Sequence, residues 1–130
     1  MTTDLMTIRE MCDAFDVTPR TLRFYEAKEL LSPQRDGTRR NFTRRDRARL
    51  KLILRGKRFG FSLEDIRQVL DLYDRDGSNE AQNRRSCELA RQRLVVMQAQ
   101  RAELDEAIAE LSGELAASEA RSFRPDHAAE

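Results

Sequence analysis

The chain has 130 residues, 39% hydrophobic, 36% charged and 6% aromatic, with no Trp; this suits one small, largely helical domain with an extension. The formal charge of +1 conceals an asymmetry: residues 1–60 hold 15 Lys/Arg against 8 Asp/Glu, and residues 61–130 hold 9 against 15. Cys12 and Cys87 form no CxxC or Cys/His cluster, so neither a zinc site nor a disulfide framework is indicated. No run approaches the ~18 apolar residues of a membrane span, and no signal-peptide pattern opens the chain. A cytoplasmic protein with no membrane partner is therefore expected.

Residues 1–6 read as a disordered lead. Thr7 and Glu10 then fit a capping box, in which each side chain satisfies a free backbone amide of the other. Ile8, Met11, Cys12 and Phe15 follow at i, i+3, i+4 and i+7, one apolar helical stripe. After the short link Asp16-Val17, Thr18 is a cap and Pro19 suits the first helical position, where its missing N–H costs nothing. Arg20 and Arg23 share one face of this second helix, and Leu22 and Tyr25 can face inward. Two short helices joined by about three residues make a helix-turn-helix. An arginine front on an apolar back fits the major groove of DNA; a plain amphipathic surface helix is the competing reading.

Between Ser32 and Phe42, Pro33 breaks the helix and Asp36-Gly37 signals a hairpin. A two-stranded ribbon would carry Arg35, Arg39 and Arg40 as a wing able to reach phosphates or a minor groove. Thr43 and Asp46 form a second candidate capping box, with Leu50, Ile53 and Leu54 as the inner stripe. Arg44, Arg45, Arg47, Arg49 and Lys51 load the early turns with positive charge, which the helix dipole disfavours and a bound anion would offset. Gly60 ends this helix. Ser62 opens the next, with Leu63, Ile66, Val69, Leu70 and Tyr73 inside. Residues 74–79 read as a polar turn.

Beyond it, Cys87, Ala90, Leu94, Met97, Arg101, Leu104, Ile108, Leu111 and Leu115 alternate spacings of three and four, a heptad seam. One helix cannot cover such a stripe alone, and no comparable second helix exists in the chain, so a homodimer is the economical solution. Arg101 is the polar exception that can set register or orientation. The organisation expected is thus a winged helix-turn-helix over 7–75, a dimerisation helix over 80–118 and a flexible tail over 119–130 holding His127. The fold class is mainly α with a small two-stranded β wing.

This order resembles the MerR family of bacterial transcription regulators. The matching residues are Thr7-Ile8-Arg9-Glu10, Val17 through Glu26, Leu30-Leu31, Arg40-Asn41-Phe42, and Gly60-Phe61-Ser62-Leu63-Glu64-Asp65-Ile66. The resemblance implies a homodimer with an antiparallel coiled coil. Such a dimer binds a pseudo-palindromic promoter operator and bends and untwists it so that RNA polymerase can engage both promoter elements. It implies DNA-facing roles for Arg20, Thr21, Arg23 and Tyr25, and for Arg39 and Arg40 of the wing. Thr18, Arg35, Arg44 and Arg45 complete the expected interface. Deforming DNA between the contacted half-sites would be a readout of shape.

Three departures are informative. The cysteines that metal-sensing members carry at the start of the dimer helix and after it are missing from the matching positions, so no metal or other cofactor is expected. Phe42 stands where a wing tyrosine is usual. Glu29 stands where a glycine is usual, and a left-handed backbone there would cost roughly 1 kcal/mol or more. Residues 50–58 and 71–74 resemble the short regulators of leucine and isovalerate (branched-chain acyl-CoA) catabolism. A coiled-coil scaffold whose basic head binds RNA or an acidic protein is the alternative function. An enzyme is not expected, since no nucleophile–base pair or metal-ligand set appears.

Overall fold

The computed structural model describes residues 4–76 and 80–122, with only the backbone described for 73–76. The chain divides into two compact units, Met1–Leu89 and Ala90–Glu130.

The first unit opens with strand β1, Met6–Thr7, and helix α1, Ile8–Phe15. Thr7 and Glu10 form the expected capping box, with the Glu10 amide donating to Thr7 Oγ1 at 3.1 Å and the Thr7 amide to Glu10 Oε1 at 2.8 Å. Asp16 ends α1 in the left-handed region, at φ 55°, a conformation that Asp tolerates better than most residues. Helix α2, Pro19–Ala27, starts after Thr18, whose hydroxyl accepts from the Thr21 amide. Strands β2, Gln34–Asp36, and β3, Arg39–Phe42, form the hairpin, and helices α3, Arg44–Phe59, and α4, Leu63–Asp76, follow.

The sheet has three strands in the order β1-β3-β2, all antiparallel. The ribbon is therefore wider than the two strands expected. Met6 pairs with Phe42 and Thr7 with Asn41, so the disordered lead expected over 1–6 stops short of Met6. A two-residue strand has no periodicity to read in sequence; the unpaired edge of β3 creates it. The hairpin pairs Asp36 with Arg39, so Gly37 and Thr38 occupy the turn. Gly37 lies at φ 65°, as a tight hairpin of this length requires of its first central residue.

Met11, Leu22, Tyr25, Leu30, Leu31, Phe42, Leu50, Ile53, Ile66 and Leu70 form one core. Ile8, Cys12, Phe15, Leu54 and Leu63 are partly buried against it. The expected inner stripes of α1, α3 and α4 are therefore the faces that pack, while Tyr73 lies outside the residues whose side chains are described. Gly56 is buried in α3, and a methyl group there would fall 2.7 Å from Ile66 Cγ1, so its missing side chain lets α3 and α4 approach. Gly60, at φ 84°, ends α3. Its amide donates to Lys57 O, and the Phe61 amide donates to Gly56 O at 2.9 Å, which satisfies carbonyls that a helix end leaves open.

Helix α5 spans Glu80–Ser122. In the first unit it is held by Leu89, which is buried. Gln82 donates to the Val69 carbonyl, and Arg85 donates to Gln68 Oε1. The turn expected over 74–79 is corrected at its start, because α4 continues through Asp76; 77–79 lie outside the described residues. The tail expected over 119–130 is corrected likewise, since Glu119-Ala120-Arg121 are good helix formers and the helix runs to Ser122. The remainder, with His127, lies outside the described residues. Among the described residues, no helix is long and apolar enough to cross a membrane.

Candidate nucleic-acid interface

Helix α2 is amphipathic in the way its sequence requires. Leu22 and Tyr25 enter the core, and Arg20 and Arg23 stand exposed on the other side. Neither arginine has an ion-pair partner among the described residues. Thr18 and Thr21 lie at the start of this face, with their hydroxyl oxygens 2.9 Å apart, and Thr18 already accepts from the Thr21 amide. Phe24 is exposed beside them, with the Lys28 ammonium over its ring at 5.6 Å.

Tyr25 is the exception among the expected DNA-facing residues. It is only 5% exposed, and burial pushes its phenol pKa upward. Its ring fills the core at i+3 from Leu22, the same helical face, so we remove it from the open surface.

The wing arginines divide into two kinds. Arg39 is exposed, with no ion pair among the described residues. Arg35 and Arg40 lie directly opposite each other across the hairpin, a placement in which like charges repel. Glu26, at the end of α2, meets both: Oε1 accepts from Arg40 Nε at 2.5 Å and Oε2 from Arg35 Nη2 at 3.1 Å. One carboxylate thus neutralises the clash and fastens the wing to the second helix. Burial alone would raise the Glu26 pKa, but the Arg40 hydrogen bond and charge, with Arg35 behind them, hold it below the usual value.

Arg44 and Arg45 are exposed at the start of α3. Arg44 pairs with Asp4 at 3.1 Å, and Arg47 donates to the Asp4 carbonyl. Arg49, expected among the basic surface of this helix, is corrected to a buried residue: its Nε donates to Leu30 O at 2.7 Å. Asp46 is 1% exposed and does more than cap its own helix. It accepts from the Thr43 amide at 3.0 Å, from the Thr43 hydroxyl at 3.1 Å and from the Ser32 amide at 2.9 Å. Asp46 and Arg49 together fasten the segment that leaves α2 to the start of α3. Arg67 of α4 donates to the Lys28 carbonyl, just beyond the end of α2.

Glu26, Asp46, Arg49 and Arg67 were not legible as positioning residues. The Asp36-Gly37 turn signal alone would have set Arg35 against Thr38; only the observed turn at Gly37-Thr38 opposes Arg35 and Arg40 and so calls for a carboxylate. Cys12 is half-buried with its thiol pKa raised, chiefly by burial, as an inert packed thiol would be. Cys87 is exposed. Among the described residues, no group of three His, Cys, Asp or Glu side chains could hold a metal ion.

In the second unit the seam residues stand exposed along α5 among the described residues. Leu94 is 53% exposed, Leu104 60% and Leu111 67%, and Met97, Arg101, Ile108 and Leu115 are exposed as well.

Two capped helices, an arginine-bearing second helix and an arginine-bearing wing fastened to it define a winged helix-turn-helix, a class of DNA-binding module. The chain belongs to the MerR family: the family model for MerR HTH regulatory proteins matches residues 6–73, and the model for MerR DNA binding matches residues 47–113. The transcriptional regulator ZntR of Escherichia coli K12 is 37% identical over 67 residues, covering 50% of this chain and 48% of that protein. The chain spans about half the length of the curated relatives it matches. Among solved structures, HiNmlR, a MerR family regulator lacking the sensor domain and bound to promoter DNA, superposes with a TM-score of 0.67 at 26% identity, covering 92% of this chain and 90% of that one. A MerR family regulator from Bacillus cereus gives 0.65 at 28% identity, with 85% and 81% covered.

Proposed function

We propose that this chain is a transcription regulator of the bacterial cytoplasm, with no enzymatic activity, that binds a pseudo-palindromic promoter operator as a homodimer. The observation that carries this reading is the exposed pair Arg20 and Arg23 on α2, beside a wing that Glu26 locks to the same helix. Arg20 and Arg23 read base edges, with Thr18 and Thr21 beside them. Arg39 and the guanidinium edges of Arg35 and Arg40 reach the backbone from the wing. Arg44 and Arg45 contribute phosphate contacts from α3. The exposed seam of α5 joins the two copies as an antiparallel coil, and Leu94, Met97, Arg101, Leu104, Ile108, Leu111 and Leu115 carry the contact. The dimer then bends and untwists the operator for RNA polymerase, a shape readout at positions it does not touch.

A finer assignment, to the short regulators of leucine and isovalerate catabolism, is supported by the residues at 50–58 and 71–74 alone. Genome-wide DNA capture with purified protein tests both levels. Recovery of twofold-symmetric sites in promoters supports the regulator, and sites beside branched-chain catabolic genes support the finer assignment. On a recovered operator, Arg23→Ala costs ~1–3 kcal/mol if Arg23 reads a base bidentately. An anisotropy titration with no change would remove Arg23 from the interface. Binding must also weaken with salt, as released counterions demand; salt-independent binding, or preference for RNA, would favour the scaffold reading instead.

A further inference from the structure

The seam of α5 fixes more than the fact of a partner. Leu94, Arg101, Ile108 and Leu115 stand at one of the two core positions of the heptad, and Ala90, Met97, Leu104 and Leu111 at the other. In an antiparallel pair each residue of the first kind packs on one of the second kind across the seam. Once the phase is set, the one freedom left is a slip by whole heptads.

We propose that two copies pair antiparallel with the twofold axis between Arg101 and Leu104, so that Arg93 of each copy lies against the partner's Glu114. This rests on the reading above that the chain dimerises through this seam. In this register Leu94 packs on the partner's Leu111, Met97 on the partner's Ile108 and the small Ala90 on the partner's Leu115. Every large seam residue that stands exposed in the single chain is then covered. Arg101 meets the partner's Leu104 and has the partner's Asp105 one residue further on, so its stem can pack while its charge finds a carboxylate. Gln98 flanks Asp105 of the other copy, and Gln100 lies beside the partner's Ala107. No like charges face each other at the flanking positions.

The alternatives are each worse on the same residues. A slip of one heptad in one direction sets Leu94 against a serine, Arg93 beside Arg121, and the two Asp105 carboxylates opposite each other. A slip in the other direction leaves Leu115 facing Asn83 and moves Arg93 away from Glu114 to Ala107. A parallel pairing in register places the two Arg101 guanidinium groups on each other in the core, where like charges repel most.

Charge reversal tests the contact. Arg93→Glu and Glu114→Arg should each weaken the dimer ~tenfold in sedimentation, because each turns two attractive pairs repulsive. The double variant should return to near the parent affinity. A double variant no tighter than either single one would overturn the register. Cross-linking gives a second, independent measurement in a Cys87→Ser background, with bridges located by peptide mapping. The chain carrying both Gln100→Cys and Ala107→Cys should cross-link between copies, and neither single variant should do so. A cross-link in Gln100→Cys alone, or in Ala107→Cys alone, marks one of the slipped registers and overturns the proposal while leaving the dimer standing. A parent chain that sediments as a monomer would overturn the dimer itself and the register with it.

Discussion

The two units of the chain place their apolar residues in opposite ways. In the first, Met11, Leu22, Leu50 and Ile53 are fully buried by other parts of the same chain, and the buried charges Asp46 and Arg49 are hydrogen-bonded there. In the second, the apolar residues from Leu94 to Leu115 are all well exposed. Both stretches obey a helical apolar pattern. The difference is closure: α1 to α4 enclose a core, whereas the narrow stripe on α5 stays open among the described residues. The first unit closes its core with its own residues, and the seam residues of the second stand open in the single chain.

The comparison can be broken most sharply at Leu104. Leu104→Asp places a charge in the seam and should cost about 3–5 kcal/mol of dimer stability, while the thermal unfolding of the first unit changes little. A dimer that survives in sedimentation would move the partner surface elsewhere. Asp46→Ala is the counterpart in the first unit. It leaves the amides of Ser32 and Thr43 without an acceptor and should destabilise the chain by about 2–4 kcal/mol in urea unfolding, with the dimer interface untouched. An unchanged midpoint would mean that water replaces the carboxylate.

Two smaller effects sharpen the account of the first unit. The depressed pKa of Glu26 means that its pairing with Arg40 and Arg35 contributes stability that is fully present above the ordinary carboxylate value of 4.5. That contribution fades as pH falls through the lower folded value. Both partners are partly solvated, so the effect is about 1 kcal/mol or less. Glu26→Gln should remove this acid-side dependence and loosen the wing, seen as weaker operator binding with little change in fold. A variant whose unfolding midpoint keeps the parent's slope below that pH would assign the dependence to another carboxylate. Glu29 lies at φ 61°, where a side chain is strained and glycine is not. Glu29→Gly should therefore raise stability by about 0.5–1 kcal/mol in the same titration, after the extra chain entropy that glycine loses on folding. A loss of stability would show that the Glu29 side chain makes a compensating contact.

Much of the fold could be read from residues. The capping boxes at Thr7 and Thr43, the Thr18-Pro19 start of α2, the Gly60 stop and the apolar stripes are local signals, written within one or two turns of helix. The basic face of α2 was legible for the same reason, since Arg20 and Arg23 are three residues apart. Less legible was which basic residue does which task. Arg49 and Arg23 look alike in a charge count, yet one holds the Leu30 carbonyl in the interior and the other stands in solvent. Tyr25 satisfied two descriptions at once, a core residue by spacing and a surface residue by resemblance, and burial decided for the core.

The sequence alone determined the helices, their caps, the hairpin, the apolar stripe of α5 and the family, because each depends on neighbours at short and regular spacing. Tertiary structure decided the third strand at Met6–Thr7, the Glu26 clamp on Arg35 and Arg40, and the buried Asp46 that ties Ser32 to Thr43. Those contacts join residues far apart in the chain, and nothing in local periodicity records which distant groups will be brought within hydrogen-bonding distance.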